Sequence, residues 1–249
     1  EGRKAGPALL AQPDLAGVHF TGSTATFESI YRQVGESISS YDSYPRIVGE
    51  TGGKDFVFAH PSADEHALAI ALIRGAFEYQ GQKCSAASRA YIPSSLWPQV
   101  KQRLVDEIST IKMGDVRDFG NFMNAVIDDR SFKKIVGYID HARSHPDASI
   151  LVGGGHDDST GYFIEPTVIV ASDPGYRSMR EEIFGPVLQI VRAHDFEEAV
   201  RLPSEHQYGN GVAIFTRNGH AAREFASRVN VGMVGINVPI PVPVAYHSF

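Results

Sequence analysis

Short runs of β-branched and aromatic residues alternate along this chain with longer segments in which apolar residues recur at helical spacing. We predict strands over residues 17–20, 46–50, 55–59, 90–92, 149–152, 163–170, 187–192, 212–215 and 232–237. The predicted helices cover residues 26–39, a long segment from about Ser62, and residues 96–108 and 128–143. Strands that alternate with such helices form right-handed crossovers in a largely parallel sheet. The sequence therefore predicts the α/β fold class.

Local signals support two of these helices. The apolar residues of segment 26–39 share one helical face: Phe27, Ile30, Tyr31, Val34 and Ile38. Ser62 followed by Glu65 three residues later has the pattern of a capping box, in which each side chain bonds a free N–H group of the first turn. We therefore expect Ser62 to be the N-cap of the second helix.

Composition excludes several classes of protein. With 43% apolar residues the chain can bury a core, and its net charge of -6 includes no run of Lys and Arg that would neutralise a nucleic-acid backbone. No apolar run approaches the roughly 20 residues that cross a bilayer, and the start of the chain lacks the apolar stretch of a signal peptide. Its single cysteine, Cys84, forms no internal disulfide. We expect an intracellular protein, in the cytoplasm or mitochondrial matrix, without nucleic-acid or membrane partners.

The stretch GETGGKD, residues 49–55, has two interpretations. A phosphate-binding loop needs four residues between its glycines and a hydroxyl residue after the lysine, whereas this stretch is one residue short and has Asp55 at that point. A strand-ending turn explains Gly52 and Gly53 but does not explain Glu50. Glu50 is therefore a candidate general base, although a carboxylate at a strand end is more often exposed or paired.

Cys84 is the candidate nucleophile. We predict that Gly81 ends the preceding helix and that Cys84 begins a short helical turn, where backbone N–H groups and the adjacent Lys83 favour the thiolate. An inert, buried cysteine is the alternative. Glu50 favours catalysis, because a carboxylate of this kind could activate water against a thioester on Cys84. A histidine could instead pair with Cys84 for hydrolysis. None of the ten histidines lies in a recognisable catalytic motif, but one sequence does not exclude them all, so this alternative stays open.

Three further stretches have structural explanations. His141 and His145 have a spacing that suits a metal, but no third ligand is evident, so we expect a solvated helix end and no metal. The glycines at 153–155 suit a turn between strands. The adjacent acids Glu181 and Glu182 end a helix against its dipole, which fits either a ligand site or a solvated face.

Four motifs together resemble the aldehyde dehydrogenase superfamily in their order and spacing: FTGS at 20–23, ETGGK at 50–54, GQKC at 81–84 and EIFGP at 182–186. The resemblance implies an aldehyde dehydrogenase-like α/β fold with parallel-rich sheets, flanking helices, an incomplete cofactor domain and a catalytic domain. It places the C-terminal portion of the NAD-binding domain at residues 1–52 and the cysteine-bearing catalytic domain at 53–236. Residues 237–249 would be a truncated connector back toward the cofactor domain.

The resemblance also implies roles for individual residues. Cys84 would attack the aldehyde carbon and, after hydride transfer to NAD or NADP, Glu50 would activate the water that hydrolyses the thioester. Glu182 would bind the ribose beside the nicotinamide, and Phe184 would pack near the nicotinamide. The segment at the start of the first helix, which otherwise suits a Ser or Thr cap, would face the pyrophosphate: Gly22, Ser23, Thr24, Ala25 and Thr26.

Within the superfamily, much of the chain is similar to the 1-pyrroline-5-carboxylate (glutamate-semialdehyde) dehydrogenases of proline catabolism. The similarity lies in SYPR at 43–46, LIRGAF at 72–77, YQGQKCSA at 79–86 and DDSTGYF at 157–163, and it implies that Ser85 contacts the substrate carboxylate. Later phrases, YGNGVAIFT at 208–216 and GINVPIPVP at 235–243, resemble methylmalonate-semialdehyde dehydrogenases. Those enzymes acylate coenzyme A and generally lack a glutamate at the position of Glu50, so its presence favours hydrolysis.

The resemblance finally implies what the chain does not contain. Family members have an upstream lysine that holds the adenosine ribose, an upstream oxyanion-hole asparagine and a downstream loop that anchors the substrate, none of which has a counterpart here. We expect the chain to be inactive by itself and the full-length protein to form a dimer or higher homo-oligomer. A coenzyme A-acylating enzyme and a non-catalytic fragment of the same fold remain the alternatives.

Overall fold

The computed structural model describes residues 2–193, 195–240 and 242. The chain divides into two compact units, Glu1–Gly52 and Gly53–Phe249. The assignment of a cofactor-binding role to residues 1–52 and a catalytic role to 53–236 stays a prediction. The predicted connector, residues 237–249, lies outside the described residues at 241 and from 243 onward.

The first unit is a small parallel α/β layer. Its elements are α1 (Gly2–Leu10), β1 (Gly17–Thr21), α2 (Thr24–Glu36), a 3-10 turn (Ile38–Ser40) and β2 (Arg46–Glu50). Strands β1 and β2 pair in parallel from Gly17 opposite Arg46 to Thr21 opposite Glu50. The ring of Phe27 on α2 stacks 6.0 Å from that of Phe20 on β1. The helix therefore crosses between the two strands with its apolar face on the sheet, as its periodicity predicts.

The second unit is built on a seven-stranded sheet. Its first half contains β3 (Phe56–Ala59), α3 (Glu65–Phe77), a 3-10 turn (Glu78–Gly81), β4 (Arg89–Pro93), α4 (Trp97–Ile108), α5 (Asp129–Ser144) and β5 (Ala148–Val152). Its second half contains β6 (His156–Asp157), β7 (Phe163–Ile164), β8 (Thr167–Ala171), α6 (Arg177–Arg180), β9 (Val187–Ala193), α7 (Phe196–Ser204), β10 (Gly211–Phe215), α8 (Gly219–Arg228) and β11 (Met233–Ile236). The large sheet has the order β11-β10-β3-β4-β9-β8-β5, and β6 pairs separately with β7.

Pairing and burial explain the layers of this unit. Every neighbouring pair of the large sheet is parallel except β5 with β8. Alternate residues of β3 enter different cores: Val57 packs in the core that includes α3 and α4, and Phe56 in the core that includes α7 and α8. Because successive strand side chains point to opposite faces, the sheet has helices on both sides. The predicted parallel-rich α/β class is confirmed.

The predicted start of α3 is wrong. Asp64, not Ser62, is the N-cap, and its carboxylate accepts the N–H groups of His66 and Ala67 at 3.0 Å each. Ser62 instead contacts the Nδ1 atom of His60 at 2.8 Å and the Thr216 hydroxyl at 3.0 Å. An aspartate caps a helix as well as a serine does, and here it lies directly before the first helical residue.

Other differences concern polar or interrupted segments. The predicted strand over 163–170 is divided into β7 and β8 at Glu165 and Pro166, since proline has no N–H group for a ladder. The predicted helix over 26–39 ends earlier, at Glu36, before the 3-10 turn. The helix predicted before the acids at 181 and 182 is α6, whose C-cap is Glu181. Three helices were not predicted, α1, α7 and α8, and each has ten residues or fewer. Among the described residues, no helix is long and apolar enough to cross a membrane.

Candidate active site

Cys84 lies in a turn between the 3-10 segment that follows α3 and strand β4, and its side chain is half-buried. Tyr79, Gln80 and Gly81 all have positive φ (55°, 57° and 64°) and reverse the chain before the cysteine. A bond from the Ala86 N–H to the Lys83 carbonyl closes the turn at 3.1 Å. No helix of the described residues begins at Cys84, so the predicted helix start is wrong, while the effect of this single turn on the thiolate stays a prediction.

The ammonium of Lys83, which the sequence predicted to favour the thiolate, lies 3.2 Å from the carboxylate of Glu78, and its effect on Cys84 stays a prediction. Gly81 is the residue that lets the chain pass close to a second loop, since a Cβ atom there would lie 2.3 Å from the carbonyl oxygen of Gly185. The left-handed conformation is easily adopted by glycine, whereas it is uncommon for Tyr79 and Gln80. Backbone conformations of this kind concentrate at functional sites.

Gly53 contacts the backbone of the candidate nucleophile. A Cβ atom at Gly53 would lie 1.8 Å from the carbonyl oxygen of Cys84, so only glycine fits. The Gly53 N–H donates to Oε1 of Glu182 at 2.8 Å. Gly53, Lys83, Glu182 and Phe184 also line one small crevice. The structure thus brings Glu182 and Phe184 to the same backbone that supports the Cys84 turn.

The loop of Glu182 is held by α5. The ammonium of Lys134 donates to the Glu182 carbonyl at 2.7 Å, and burial lowers the pKa of Lys134. Phe184 has a positive φ of 59° and its ring is 40% exposed. One carboxylate oxygen of Glu182 bonds Gly53, and Phe184 presents an exposed aromatic face. The cofactor contacts expected for Glu182 and Phe184 stay predictions.

Two buried cations lie directly after Gly53 and along β4. Arg89, 2% exposed, donates to the Lys54 carbonyl from Nε at 2.9 Å and from Nη2 at 2.6 Å. Lys54, 1% exposed, donates its ammonium to the Ser88 hydroxyl at 2.7 Å. Burial, followed by the charge of Arg89, lowers the pKa of Lys54 well below its ordinary value. The motif indicated Gly53, but nothing in the local sequence indicated the burial of Lys54 and Arg89.

Asp55 completes this group of buried charges. Neither of its carboxylate oxygens has a hydrogen-bond partner among the described residues. Burial raises the pKa of Asp55 to about 8, and the Gly211 N–H and the positive charge of Arg89 oppose this only in part. We name the buried Lys54, Asp55 and Arg89, with the half-buried Ser88, the buried polar cluster.

Ser85 and His206 lie in the same unit. The side chain of Ser85, the predicted contact for a substrate carboxylate, is nearly buried, and its role stays a prediction. His206 accepts the Tyr208 N–H at Nδ1 (3.1 Å), while its Nε2 has no hydrogen-bond partner among the described residues. Burial, with the charges of Arg89 and Lys54, lowers the pKa of His206 to about 4. A neutral His206 was not predicted from the sequence.

The remaining predicted site residues belong to the first unit. Glu50 ends β2 with a half-buried side chain, and its carbonyl accepts the Gly22 N–H at 3.1 Å. Ser23 is the N-cap of α2 and accepts the Thr26 N–H at 3.3 Å, so the cap interpretation is confirmed. The Thr24 hydroxyl accepts the Gly52 N–H at 3.3 Å. Ser23 and its neighbours Gly22, Ala25 and Thr26 are exposed, which leaves the first turn of α2 accessible to an anionic ligand.

The histidine pair at the end of α5 does not have the geometry of a metal site. Nδ1 of His141 lies 2.7 Å from the Tyr176 hydroxyl, and Nδ1 of His145 accepts the Asp147 N–H at 3.2 Å. An acceptor at Nδ1 places the proton of a neutral ring on Nε2, which leaves His145 without a free lone pair for a metal. In the part of the chain that the structure describes, no three His, Cys, Asp or Glu residues are arranged to hold a metal ion. The glycines at 153 and 154 form the expected turn, with φ of 77° and 92°.

Comparison with known proteins gives consistent matches. The chain matches the Aldehyde dehydrogenase family over residues 1–249. The mitochondrial Delta-1-pyrroline-5-carboxylate dehydrogenase of Dictyostelium discoideum is 54% identical over 208 residues, which are 82% of this chain and 37% of that protein. The human protein of the same name is 45% identical over 223 residues, or 88% of this chain and 40% of that protein.

Solved structures agree with the sequence comparison. The Delta-pyrroline-5-carboxylate dehydrogenase of Mycobacterium tuberculosis has a TM-score of 0.91 at 40% identity, over 100% of this chain and 46% of that one. It has also been crystallised with NAD. The methylmalonate-semialdehyde dehydrogenase of Oceanimonas doudoroffii has a TM-score of 0.92 at 37% identity, over 99% of this chain and 50% of that one. The chain therefore spans half or less of the length of these relatives, and by its match over residues 1–249 it belongs to the aldehyde dehydrogenase family.

Proposed function

We propose that this chain carries the nucleophile and base of an NAD-dependent enzyme that oxidises L-glutamate 5-semialdehyde, in equilibrium with 1-pyrroline-5-carboxylate, to glutamate. The observation that carries the proposal is Gly53, which supports the Cys84 turn and bonds the Glu182 carboxylate. Relatives named for this activity are 54% and 45% identical. Since those relatives are named mitochondrial and the chain has one cysteine, we propose a reducing intracellular location, the mitochondrial matrix or the cytoplasm.

The chemistry assigned to this chain has two stages. The Cys84 thiolate attacks the aldehyde carbon, which forms a C–S bond and puts negative charge on the former carbonyl oxygen. NAD, when bound, accepts the hydride that leaves this carbon, and a thioester on Cys84 results. Glu50 then takes a proton from a water molecule as the water attacks the thioester carbon. The C–S bond breaks, the acid leaves, and the thiolate is restored.

The binding roles follow from the exposed and buried groups of each unit. In the second unit, Glu182 has a carboxylate suited to ribose hydroxyls, and the exposed ring of Phe184 is suited to the nicotinamide. In the first unit, the exposed first turn of α2, with Ser23 as its cap, is suited to a pyrophosphate. The assignment of NAD is supported by the M. tuberculosis relative crystallised with it. Assembly as a homo-oligomer stays a prediction.

A chimera tests the proposal. The matching segment of the Dictyostelium relative is replaced by this sequence, and NADH formation is measured with glutamate semialdehyde. We expect steady turnover that Cys84→Ala abolishes. Glu50→Gln should keep a first burst of NADH, because acylation does not need the base, while steady turnover slows by about 100-fold or more. Glu36→Gln, at the exposed end of α2, is the matched carboxylate control.

Other outcomes have defined meanings. Turnover that appears only when coenzyme A is supplied, with the acyl product on coenzyme A, would establish the coenzyme A-acylating alternative. No turnover in a folded chimera would favour a non-catalytic form of the fold. Equal burst and steady rates in Glu50→Gln and in the parent would exclude Glu50 as the base.

A further inference from the structure

Gly53 is a shared support for two residues with proposed functions. Its N–H donates to Glu182 at 2.8 Å, and its Cα lies so close to the Cys84 carbonyl that a Cβ atom would approach that oxygen to 1.8 Å. A movement of the Gly53 backbone therefore moves the Cys84 turn and the Glu182 carboxylate together. The residues that follow Gly53 hold its peptide in place through several hydrogen bonds.

The buried polar cluster determines that position. Arg89 clamps the Lys54 carbonyl with two N–H groups, at 2.9 and 2.6 Å, and Lys54 is the residue after Gly53. The next carbonyl, that of Asp55, accepts the N–H groups of Ser88 and Arg89 at 2.9 and 3.1 Å. The Lys54 ammonium adds a bond to the Ser88 hydroxyl at 2.7 Å. Five hydrogen bonds thus join residues 54–55 to residues 88–89, directly beside the Cys84 turn.

Placing these cations in the interior is costly. Removing a guanidinium or an ammonium from water costs several kcal/mol, which apolar side chains of similar size would avoid. Asp55 does not offset this with a hydrogen bond, because its carboxylate oxygens have no partner among the described residues. Arg89 is instead stabilised by the Lys54 carbonyl and by the Phe56 ring, whose centroid lies 5.5 Å from Cζ. The arrangement favours a defined backbone geometry over maximal stability.

We propose that Arg89 and Lys54 are positioning residues, which hold the Gly53 peptide in place so that the Cys84 turn and the Glu182 carboxylate keep a constant relative position. A catalytic effect of Arg89 and Lys54 through Gly53 rests on the proposed function. The support itself is a property of the folded chain and can be measured without turnover.

Amide exchange and thiol labelling test the support in the 249-residue chain. Arg89→Lys keeps the positive charge but loses the two-pronged donor that grips the Lys54 carbonyl. We expect the Gly53 N–H to exchange about tenfold faster because the backbone opens locally. The exchange rates of the β10 amides should change by about twofold or less. Alkylation should accelerate by about threefold or more as the half-buried Cys84 becomes more accessible. Because the chain has one cysteine, labelling reports Cys84 alone.

A second variant and a control complete the experiment. Lys54→Met removes the bond to Ser88 and should produce the same changes, so the proposal stays testable if Arg89→Lys does not fold. Arg223→Met, on the exposed face of α8, removes a positive charge elsewhere and should change neither rate. Unchanged Gly53 exchange in the variants overturns the proposal. An equal increase in the exchange rates of the β10 amides also overturns the proposal, because Arg89 and Lys54 would then support only the stability of the whole second unit.

The chimera separates this inference from the proposed function. If the chimera is active, Arg89→Lys should lower kcat by about tenfold while the KM for the aldehyde changes by about twofold or less, since misplaced reacting groups slow the chemical step. An unchanged kcat overturns the positioning role. If every form of the chimera is inactive, the proposed function fails, and the exchange and labelling results alone decide whether Arg89 and Lys54 hold Gly53.

Discussion

Asp55 offers the sharpest test of the electrostatics beside the Cys84 turn. Its side chain is 4% exposed, and neither carboxylate oxygen has a hydrogen-bond partner among the described residues. Burial therefore raises the pKa of Asp55 from 3.8 to about 8. The substitution Asp55→Asn keeps the shape of the neutral acid and removes the possibility of ionisation.

The magnitude follows from linkage between protonation and folding. A rise in pKa from 3.8 to about 8 corresponds to about 6 kcal/mol at about 1.4 kcal/mol per pKa unit. Between these values the native state holds the Asp55 proton that the unfolded chain has released. The free energy of unfolding contributed by Asp55 therefore falls as pH rises from about 4 to about 8. Below about pH 4 the protonated Asp55 does not lower the free energy of unfolding, and above about pH 8 the full reduction is present.

Urea unfolding at several pH values measures this effect. Trp97, the chain's single tryptophan, packs against the core of the second unit and reports its unfolding by fluorescence. Lys54 has the opposite pH dependence, because a lowered lysine pKa makes stability rise with pH toward 10.5. Lys54 is present in both proteins, so its contribution cancels when the free energy of unfolding of the parent is subtracted from that of Asp55→Asn. We expect a difference of about 1 kcal/mol or less at pH 4 and several kcal/mol in favour of Asp55→Asn at pH 8.

The exposed Asp158 provides the matched control. Asp158→Asn should leave the free energy of unfolding nearly unchanged at every pH. A difference between Asp55→Asn and the parent that is constant from pH 4 to 8, or that favours the parent at pH 8, would refute the argument from burial.

Four further substitutions test the fold and the environment of the site. Gly81→Ala should lower the free energy of unfolding by roughly 2–4 kcal/mol, because the added Cβ would lie 2.3 Å from the Gly185 carbonyl oxygen at a φ of 64°. Gly137→Ala on α5, where a Cβ meets no atom within 4 Å, should raise it by about 0.5–1 kcal/mol in the same urea titration. Asn218→Ala should cost about 1 kcal/mol, since its side chain caps α8 by accepting the N–H groups of the first turn; equal stability would contradict this. The parent should lose stability as pH falls from 6.5 toward 4, because the lowered pKa of His206 means that the unfolded chain binds a proton before the native state does. His206→Asn should reduce this loss, and urea unfolding midpoints measured across that pH range check the expectation.

The order of strands and helices followed largely from the sequence. Strand β2 has the bounds that its β-branched residues predict, and α5 begins one residue after its cap, Asp128, as the sequence predicted within one position. These elements depend on local signals: side-chain periodicity, a capping carboxylate and the proline after His145. Helices α7 and α8 are short and were not predicted, although the apolar residues of α7 share one face. Helices of this length depend on packing for their stability, and Phe225 packs α8 in the core beside the sheet.

The chemical residues of the candidate site divide in the same way. Residue types made Cys84 and Glu50 candidates, and the family resemblance carried by the motifs implied a role for Glu182; all three roles stay predictions. The left-handed turn before Cys84 and the contact of Gly53 with its carbonyl depend on how close two backbones come, which local sequence does not encode. Burial of Lys54 and Arg89 likewise arises from the pairing of β3 with β4, which places residues 54–55 beside residues 88–89. Sequence determined which groups are present, and tertiary structure decided which of them lost water, because desolvation depends on everything packed around a charge.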